Sequence, residues 1–295
     1  MMALVRSAVA LDAPTLDPSR RRFVGSGFRV LPRCQTEPMS AEKPAVVLLH
    51  GLTSSSNSWR EVTPLLPAFD VHAPTSMGHV GGTPVERHPV AVGDLVDEVE
   101  RYLDDHGLQK PHIVGHSFGG YLAIELARRG RASTVCAITP GGFWGTDDPR
   151  RTATFQRIRQ GRAKAARAPK LVALLMKPAF VRRRVLTDAA GDGARVSAAR
   201  AVESLYESLG CTVFEDIAFS PEFIIAPLDP LPCPVTIAWA EKDPIIAPAV
   251  YEPEARKRLP AATFETLSGL AHEPMMDAPE RVAAAIHDAI SAKRT

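Results

Sequence analysis

The sequence predicts an α/β fold in which a largely parallel sheet, flanked by helices, is interrupted by one long helical insertion. Three observations carry this expectation. From residue 45, short β-branched runs alternate with amphipathic stretches, the rhythm of strand-helix units. The rhythm stops after residue 142 and gives way to Arg-rich segments with helical spacing and no convincing strand. After Pro232 it resumes, so residues 1–142 and 232–295 are expected to form one core around an insertion of residues 143–231.

Each element has its own signal. Residues 45–49, Ala-Val-Val-Leu-Leu, read as a buried strand ended by His50-Gly51. Residues 57–66 predict a helix capped by Asn57 or Ser58, and 69–73 the next strand. The clearest helix is 90–108: Leu95, Val99, Tyr102 and Leu103 share a face, the opposite side is acidic, and Gly107 closes it. Residues 111–115 predict a strand, 118–129 a helix stopped by Gly130, and 134–139 a strand closed by Pro140-Gly141-Gly142. Within the insertion Pro169, Pro178, Gly191 and Gly193 mark breaks. The last four elements are a strand at 234–240, a helix at 249–259, a strand at 263–267 and a helix at 279–293. In the N-terminal segment, 1–40, residues 23–31 offer an antiparallel edge hairpin that Gly25, Gly27 and Pro32 weaken.

Composition narrows the class. With 45% hydrophobic and 23% charged residues over 295 positions, the chain can bury a sizeable core, which excludes a disordered or fibrous protein. The nearest approach to a membrane span, residues 171–176, ends at Lys177-Pro178 and is far too short. Residues 1–13 lack a compact apolar stretch leading to a small-residue cleavage site, so a cytoplasmic location is expected. Cys34, Cys136, Cys211 and Cys233 are widely spaced, and neither a zinc site nor a redox dithiol is expected.

The net charge of +2 conceals a division. Residues 150–200 hold 14 Lys and Arg against Asp188 and Asp192, while the rest holds 21 basic and 31 acidic residues. A basic insertion thus rides on an acidic core. Such a segment invites a nucleic-acid reading, but it lacks interleaved aromatics and any reader motif, so no nucleic-acid partner is expected. Oligomeric state is not readable from the sequence.

The strongest chemical signal is Gly115-His116-Ser117-Phe118-Gly119, a G-x-S-x-G between an expected strand and an expected helix. A turn that sharp leaves no room for side chains at 115 and 119, and it lifts the Ser117 hydroxyl into the open. The Phe118 N–H, at a helix N-terminus, faces charge developing on a bound carbonyl. A serine hydroxyl needs a base, and the base needs a carboxylate to hold its tautomer. His272, in a loop before the last helix, is the expected base. Asp243, just past a strand end, is the expected acid, with Glu241 as the rival. His50-Gly51-Leu52-Thr53 follows the first strand; Gly51 lets the chain turn close to substrate, and Leu52, ahead of Thr53, is the expected second oxyanion donor. His116 reads as a packed support, and His50 and Gly51 as supports of the loop.

Together His50-Gly51, the Gly78-His79 turn, the Ser117 elbow, Asp243 and His272 resemble the α/β-hydrolase superfamily across residues 45–295. The resemblance implies an eight-strand, mostly parallel sheet, a helical cap formed by 143–231, and triad roles for Ser117, Asp243 and His272. Haloalkane dehalogenases and epoxide hydrolases carry an Asp nucleophile where this chain has Ser117. The His-Gly-Gly-Gly loop of lipases is absent, and Leu52-Thr53-Ser54 departs from the Gly-Pro-Gly loop of meta-cleavage carbon-carbon hydrolases. What remains is a serine hydrolase acting on a small-molecule carboxylic ester or thioester, with no cofactor and no metal. Acyl transfer, haloperoxidase-like or carbon-carbon bond chemistry on the same triad stays open, as does a noncatalytic small-molecule binder. Two expectations concern the insertion: Leu171, Val172, Leu174, Leu175, Met176 and Phe180 either line an acyl pocket or pack on the core, and Arg182, Arg183 and Arg184 either meet phosphates of an anionic leaving group or are solvated.

Overall fold

The computed structural model describes residues 43–291. Its six strands are β1 (Ala45–Leu49), β2 (Asp70–His72), β3 (His112–His116), β4 (Thr134–Ile138), β5 (Val235–Ala240) and β6 (Thr263–Leu267). They form one sheet in the order β2-β1-β3-β4-β5-β6, with every pair parallel. Six strands are therefore described where eight were expected, and the hairpin expected at 23–31 lies outside the described residues.

Alternate strand residues serve opposite faces, as the pleat requires. Val47, Leu49, Ile113, Ala137 and Ile237 pack with α1 (Val92–Asp105), α2 (Phe118–Arg128) and α8 (Pro248–Arg258). Val46, Leu48, Val114, Ile138 and Ala238 pack with α9 (Pro279–Ser291) and with Trp59, Val62 and Leu66. Both faces are covered, which is why these strands read as continuous apolar runs. Register then aligns the strand ends: Leu49 sits opposite Gly115, Ile138 opposite Ala238 and Ala240 opposite Leu267. The loops that follow β1, β3, β5 and β6 therefore leave from one edge, beside the point where strand order reverses between β1 and β3.

The helix expected at 57–66 is two 3₁₀ turns, Ser56–Trp59 and Thr63–Leu65. Pro64 lacks an N–H and Pro67 bars the α region for Leu66, so a continuous helix cannot form. The cap is Ser55, whose hydroxyl accepts from the Asn57 N–H at 3.1 Å, not Asn57 or Ser58. By contrast α1 lies inside its expected range; Asp94 accepts from the Ala91 N–H at 3.0 Å, and Gly107 at φ +69° closes its end.

Between β4 and β5 run five helices: α3 (Pro149–Arg167), α4 (Pro169–Leu175), α5 (Ala179–Val185), α6 (Ala198–Gly210) and α7 (Phe214–Ala218). Pro169 begins α4 and Pro178 precedes α5, as their missing N–H groups favour. Two core arginines clip the returning chain. Arg258 of α8 donates to Ile225 O at 2.8 Å and Trp144 O at 3.2 Å; Arg128 of α2 donates to Ala226 O at 2.6 Å and Pro227 O at 3.0 Å.

Candidate active site

Ser117 stands between β3 and α2 with φ +53° and ψ −112°, a conformation that costs a residue with a side chain about 1–3 kcal/mol. The backbone holds it there. The Ser117 N–H donates to Ile138 O at 3.0 Å, and its carbonyl accepts from the N–H groups of Gly120 and Gly141 at 3.0 and 3.1 Å. A Cβ at Gly115 would lie 2.0 Å from Gly119 O, and one at Gly119 would lie 2.2 Å from Leu49 O. Both glycines are therefore required by the close approach of backbone to backbone.

His272 and Asp243 meet this serine from the loops after β6 and β5. His272 Nδ1 lies 2.7 Å from Asp243 Oδ2, and His272 Nε2 lies 3.2 Å from Ser117 Oγ. The other carboxylate oxygen of Asp243 accepts from the N–H groups of Ile245 and Ile246 at 2.8 and 2.9 Å. Burial alone lowers the His272 pKa, but the charge and hydrogen bond of Asp243 outweigh it and leave the imidazole above its ordinary value. Burial likewise opposes ionisation of Asp243, yet His272 and the two backbone N–H groups hold its carboxyl below the usual range. With Nδ1–H given to Asp243, a neutral His272 keeps Nε2 as an acceptor facing the Ser117 hydroxyl. Glu241, the rival acid, instead accepts from the Gly269 N–H at 2.6 Å on the exposed side of the turn.

His116 Nε2–H donates to His272 O at 2.7 Å and so braces the loop that carries His272. Burial pushes the His116 pKa down to about 3, which keeps the ring neutral and in that donor role. His50 does the same for the loop after β1. Its Nδ1–H donates to Gly51 O at 2.9 Å, its Nε2 accepts from the Ser76 N–H at 3.0 Å, and burial lowers its pKa to about 3. A Cβ at Gly51 would lie 3.0 Å from the His116 ring and 3.4 Å from Ser117 Cβ, so this loop runs hard against the elbow. Leu52 and Phe118 both line the cavity that opens at Ser117. Phe118 begins α2, where the N–H has no acceptor four residues back and the helix dipole is positive.

A family model described as the alpha/beta hydrolase family matches residues 46–285. The chain belongs to the alpha/beta hydrolase family. Among its relatives, epoxide hydrolase EphH of Mycobacterium tuberculosis is 28% identical over 191 residues, 64% of this chain and 89% of that protein. Lipase LipV of the same organism is 36% identical over 96 residues, but the match spans 32% of this chain and 36% of the lipase. Among solved structures, the 2-hydroxy-6-oxo-6-phenylhexa-2,4-dienoate hydrolase (BphD) of Rhodococcus sp. strain RHA1 superposes with a TM-score of 0.67 at 21% identity, covering 85% of this chain and 91% of that one. That likeness is one of fold.

In this chain the cavity at Ser117 is small, about 80 Å³, against several hundred for a typical ligand pocket. Trp144, Phe155, Phe223 and Ile246 make its apolar wall. Trp144 is fixed by an Nε1–H bond to Phe223 O at 2.6 Å and by edge-to-face contacts with Phe155 and Phe223. Two charged side chains, missed in the sequence, line it as well. Arg151 lies buried with its guanidinium 5.3 Å from the Trp144 ring centroid, donating to Ala218 O at 3.1 Å. Glu273 follows His272, and burial raises its carboxyl pKa. Arg151 was one basic residue among 14, and nothing in its local sequence set it apart.

The insertion also reaches the loop after β1. Buried Glu207 of α6 accepts from the Ser55 hydroxyl at 2.6 Å and from Asn57 Nδ2 at 2.9 Å, and Arg200 lies 3.6 Å from it. Two expectations for the insertion hold only in part: Arg183 and Arg184 are solvated, while other residues of both sets depart from either alternative. Leu171, Leu174, Leu175 and Phe180 neither line the cavity nor pack on the core but are exposed; only Val172 and Met176 of that set turn inward. Arg182 is not placed to meet a ligand: it is buried and donates to Val196 O at 2.6 Å and Met176 O at 2.9 Å. Among the described residues, no group of three or more His, Cys, Asp and Glu side chains is placed to hold a metal ion.

Proposed function

We propose that this chain is a serine hydrolase that cleaves a small carboxylic ester or thioester through an acyl-Ser117 intermediate. The observation that carries the reading is His272 set between Ser117 Oγ at 3.2 Å and Asp243 at 2.7 Å. Ser117 Oγ attacks the carbonyl carbon while its proton passes to His272 Nε2, and the carbonyl π pair moves onto oxygen. The N–H groups of Phe118 and Leu52 donate to that oxyanion; each such donor is worth about 3 kcal/mol in the transition state. Collapse expels the alkoxide or thiolate, which takes the proton from His272. Water then repeats the cycle with His272 as base, releasing the acid and restoring the Ser117 hydroxyl.

Substrate size follows from the cavity. At about 80 Å³ beneath an aromatic wall, it favours a short acyl group. Residues 143–231 act as a cap over it, with Arg151 as the cation nearest an anionic substituent on the substrate. The lipase among the relatives agrees with ester chemistry. Hydrolysis through a carboxylate nucleophile lacks its group here, because the elbow carries Ser117. A noncatalytic binder has no use for the whole Ser-His-Asp row.

Ser117→Ala tests the reading. Turnover of p-nitrophenyl acetate is expected to fall at least about 1,000-fold with the thermal melt unchanged. Undiminished turnover in a folded variant would overturn it.

A further inference from the structure

Most of the exposed large apolar side chains of the described residues fall in one short segment. Of eight, five lie between residues 171 and 185: Leu171 at 54%, Leu174 at 55%, Leu175 at 52%, Phe180 at 76% and Val185 at 54% exposed. Scattered single apolar residues need no explanation, whereas a cluster of this kind does.

Two features show that this face is held outward by the fold. Val172 and Met176, four apart on α4 and its cap, pack against Ala190, Val196 and Ala201, and this fixes the opposite side of α4 toward solvent. Arg182 then locks α5 to the same base through Val196 O and Met176 O. The segment carries exposed cations as well as apolar groups. Lys170, Lys177, Arg183 and Arg184 are exposed, as are Lys164 and Arg167 at the end of α3, and residues 149–187 contain no Asp or Glu. Asp192, which pairs with Arg183 at 3.2 Å, lies beyond that span.

We propose that the α4–α5 face docks on the surface of an anionic lipid bilayer. Leucine and phenylalanine side chains enter the boundary between headgroups and acyl chains, while the lysines and arginines meet lipid phosphates at the level of the headgroups. Charge argues for this occupant over a second copy of the chain, since two such faces would set the lysines and arginines of one against those of the other, while Asp192 is already paired with Arg183. The attachment is to the surface: no described helix is long and apolar enough to cross a membrane. The proposal is independent of the chemistry assigned to Ser117.

Sedimentation of the full chain with phosphatidylglycerol vesicles and with phosphatidylcholine vesicles tests it. The wild type is expected to sediment with the anionic vesicles, weakly with the neutral ones, and to be released by high salt. The double variant Leu174→Ser/Phe180→Ser is expected to lose partitioning at least about tenfold while its thermal melt stays that of the wild type. The triple variant Lys170→Gln/Lys177→Gln/Arg184→Gln is expected to lose the preference for anionic lipid. Failure to sediment with phosphatidylglycerol, equal binding to both lipids, or binding undiminished in the double variant would overturn the proposal. So would a soluble dimer, seen by sedimentation velocity, that the double variant abolishes in place of vesicle binding.

Discussion

Asp243 governs how His272 titrates, and this makes the site testable by pH. In the proposed reaction His272 must be neutral to take the Ser117 proton, and its pKa lies above the ordinary histidine value of 6.5 because Asp243 outweighs burial. The acid limb of kcat/KM is therefore expected above pH 6.5, with activity rising as His272 deprotonates. In Asp243→Asn the charge is gone and burial prevails, so the acid limb should move to lower pH while kcat falls by about 10,000-fold. The stability linkage runs the same way. A raised folded pKa means that the stabilisation from His272 is fully present below its unfolded value of 6.5 and is lost as pH rises through the folded value. Asp243, with a depressed folded pKa, contributes above its unfolded value of 3.8 and loses that contribution as pH falls through the folded one. Thermal melts across pH on wild type and variant check both signs; an acid limb that stays in place in Asp243→Asn would contradict the assigned pairing. At this scale Ser117, His272 and Asp243 were legible because each sits just past a strand end in a loop of recognisable composition. Arg151 and Glu207 were not, because each owes its place to tertiary packing of the insertion, nor was Glu273, whose burial depends on the insertion meeting its loop, where its N–H donates to Ala189 O at 2.7 Å.

Among the elements, the turn from β3 to α2 is the most constrained. A methyl at Gly119 would lie 2.2 Å from Leu49 O, a backbone atom that cannot yield without parting β1 from the elbow. Gly119→Ala is expected to cost at least about 2 kcal/mol, read as a fall in Tm of roughly 4 °C or more, together with loss of esterase turnover. A variant that melts with the wild type would show that the turn has slack. Strands and long helices were readable because both sheet faces are covered and because α1 is amphipathic. The helix expected at 57–66 failed for a local reason, Pro64 and Pro67. The α4 helix forms between its expected breaks, but the burial expected of its leucines does not, for a different reason: Leu171, Leu174 and Leu175 have the spacing of a buried face, but Val172 and Met176 offer another, and periodicity cannot choose between two apolar sides of a seven-residue helix.

For the molecule as a whole, parallel strands that end together bring residues 50–52, 117, 243 and 272 to one edge, although 155 residues separate Ser117 from His272. Alternation of strand and helix predicted the parallel sheet, while strand order and register depend on long-range pairing that no local signal encodes. The uneven charge of the sequence also resolves. Some of the basic insertion is internal, as with Arg151, Arg182 and Arg200, and the remainder is exposed or partly exposed, spread along α3 and over the α4–α5 face. Residues of the insertion line the cavity of about 80 Å³ at Ser117, so on the proposed reading kcat/KM on p-nitrophenyl esters should be highest for acetyl and propionyl and fall steadily with chain length. A maximum at decanoyl would mean that the aromatic wall opens during turnover.

The proposed reaction stands on Ser117 as the nucleophile. Treating the folded chain with a fluorophosphonate and reading intact and peptide masses tests it most directly. One adduct on the Ser117 peptide, absent in Ser117→Ala and slowed in His272→Ala, is the expected result. No adduct at Ser117, or an equal adduct in Ser117→Ala, would contradict the account.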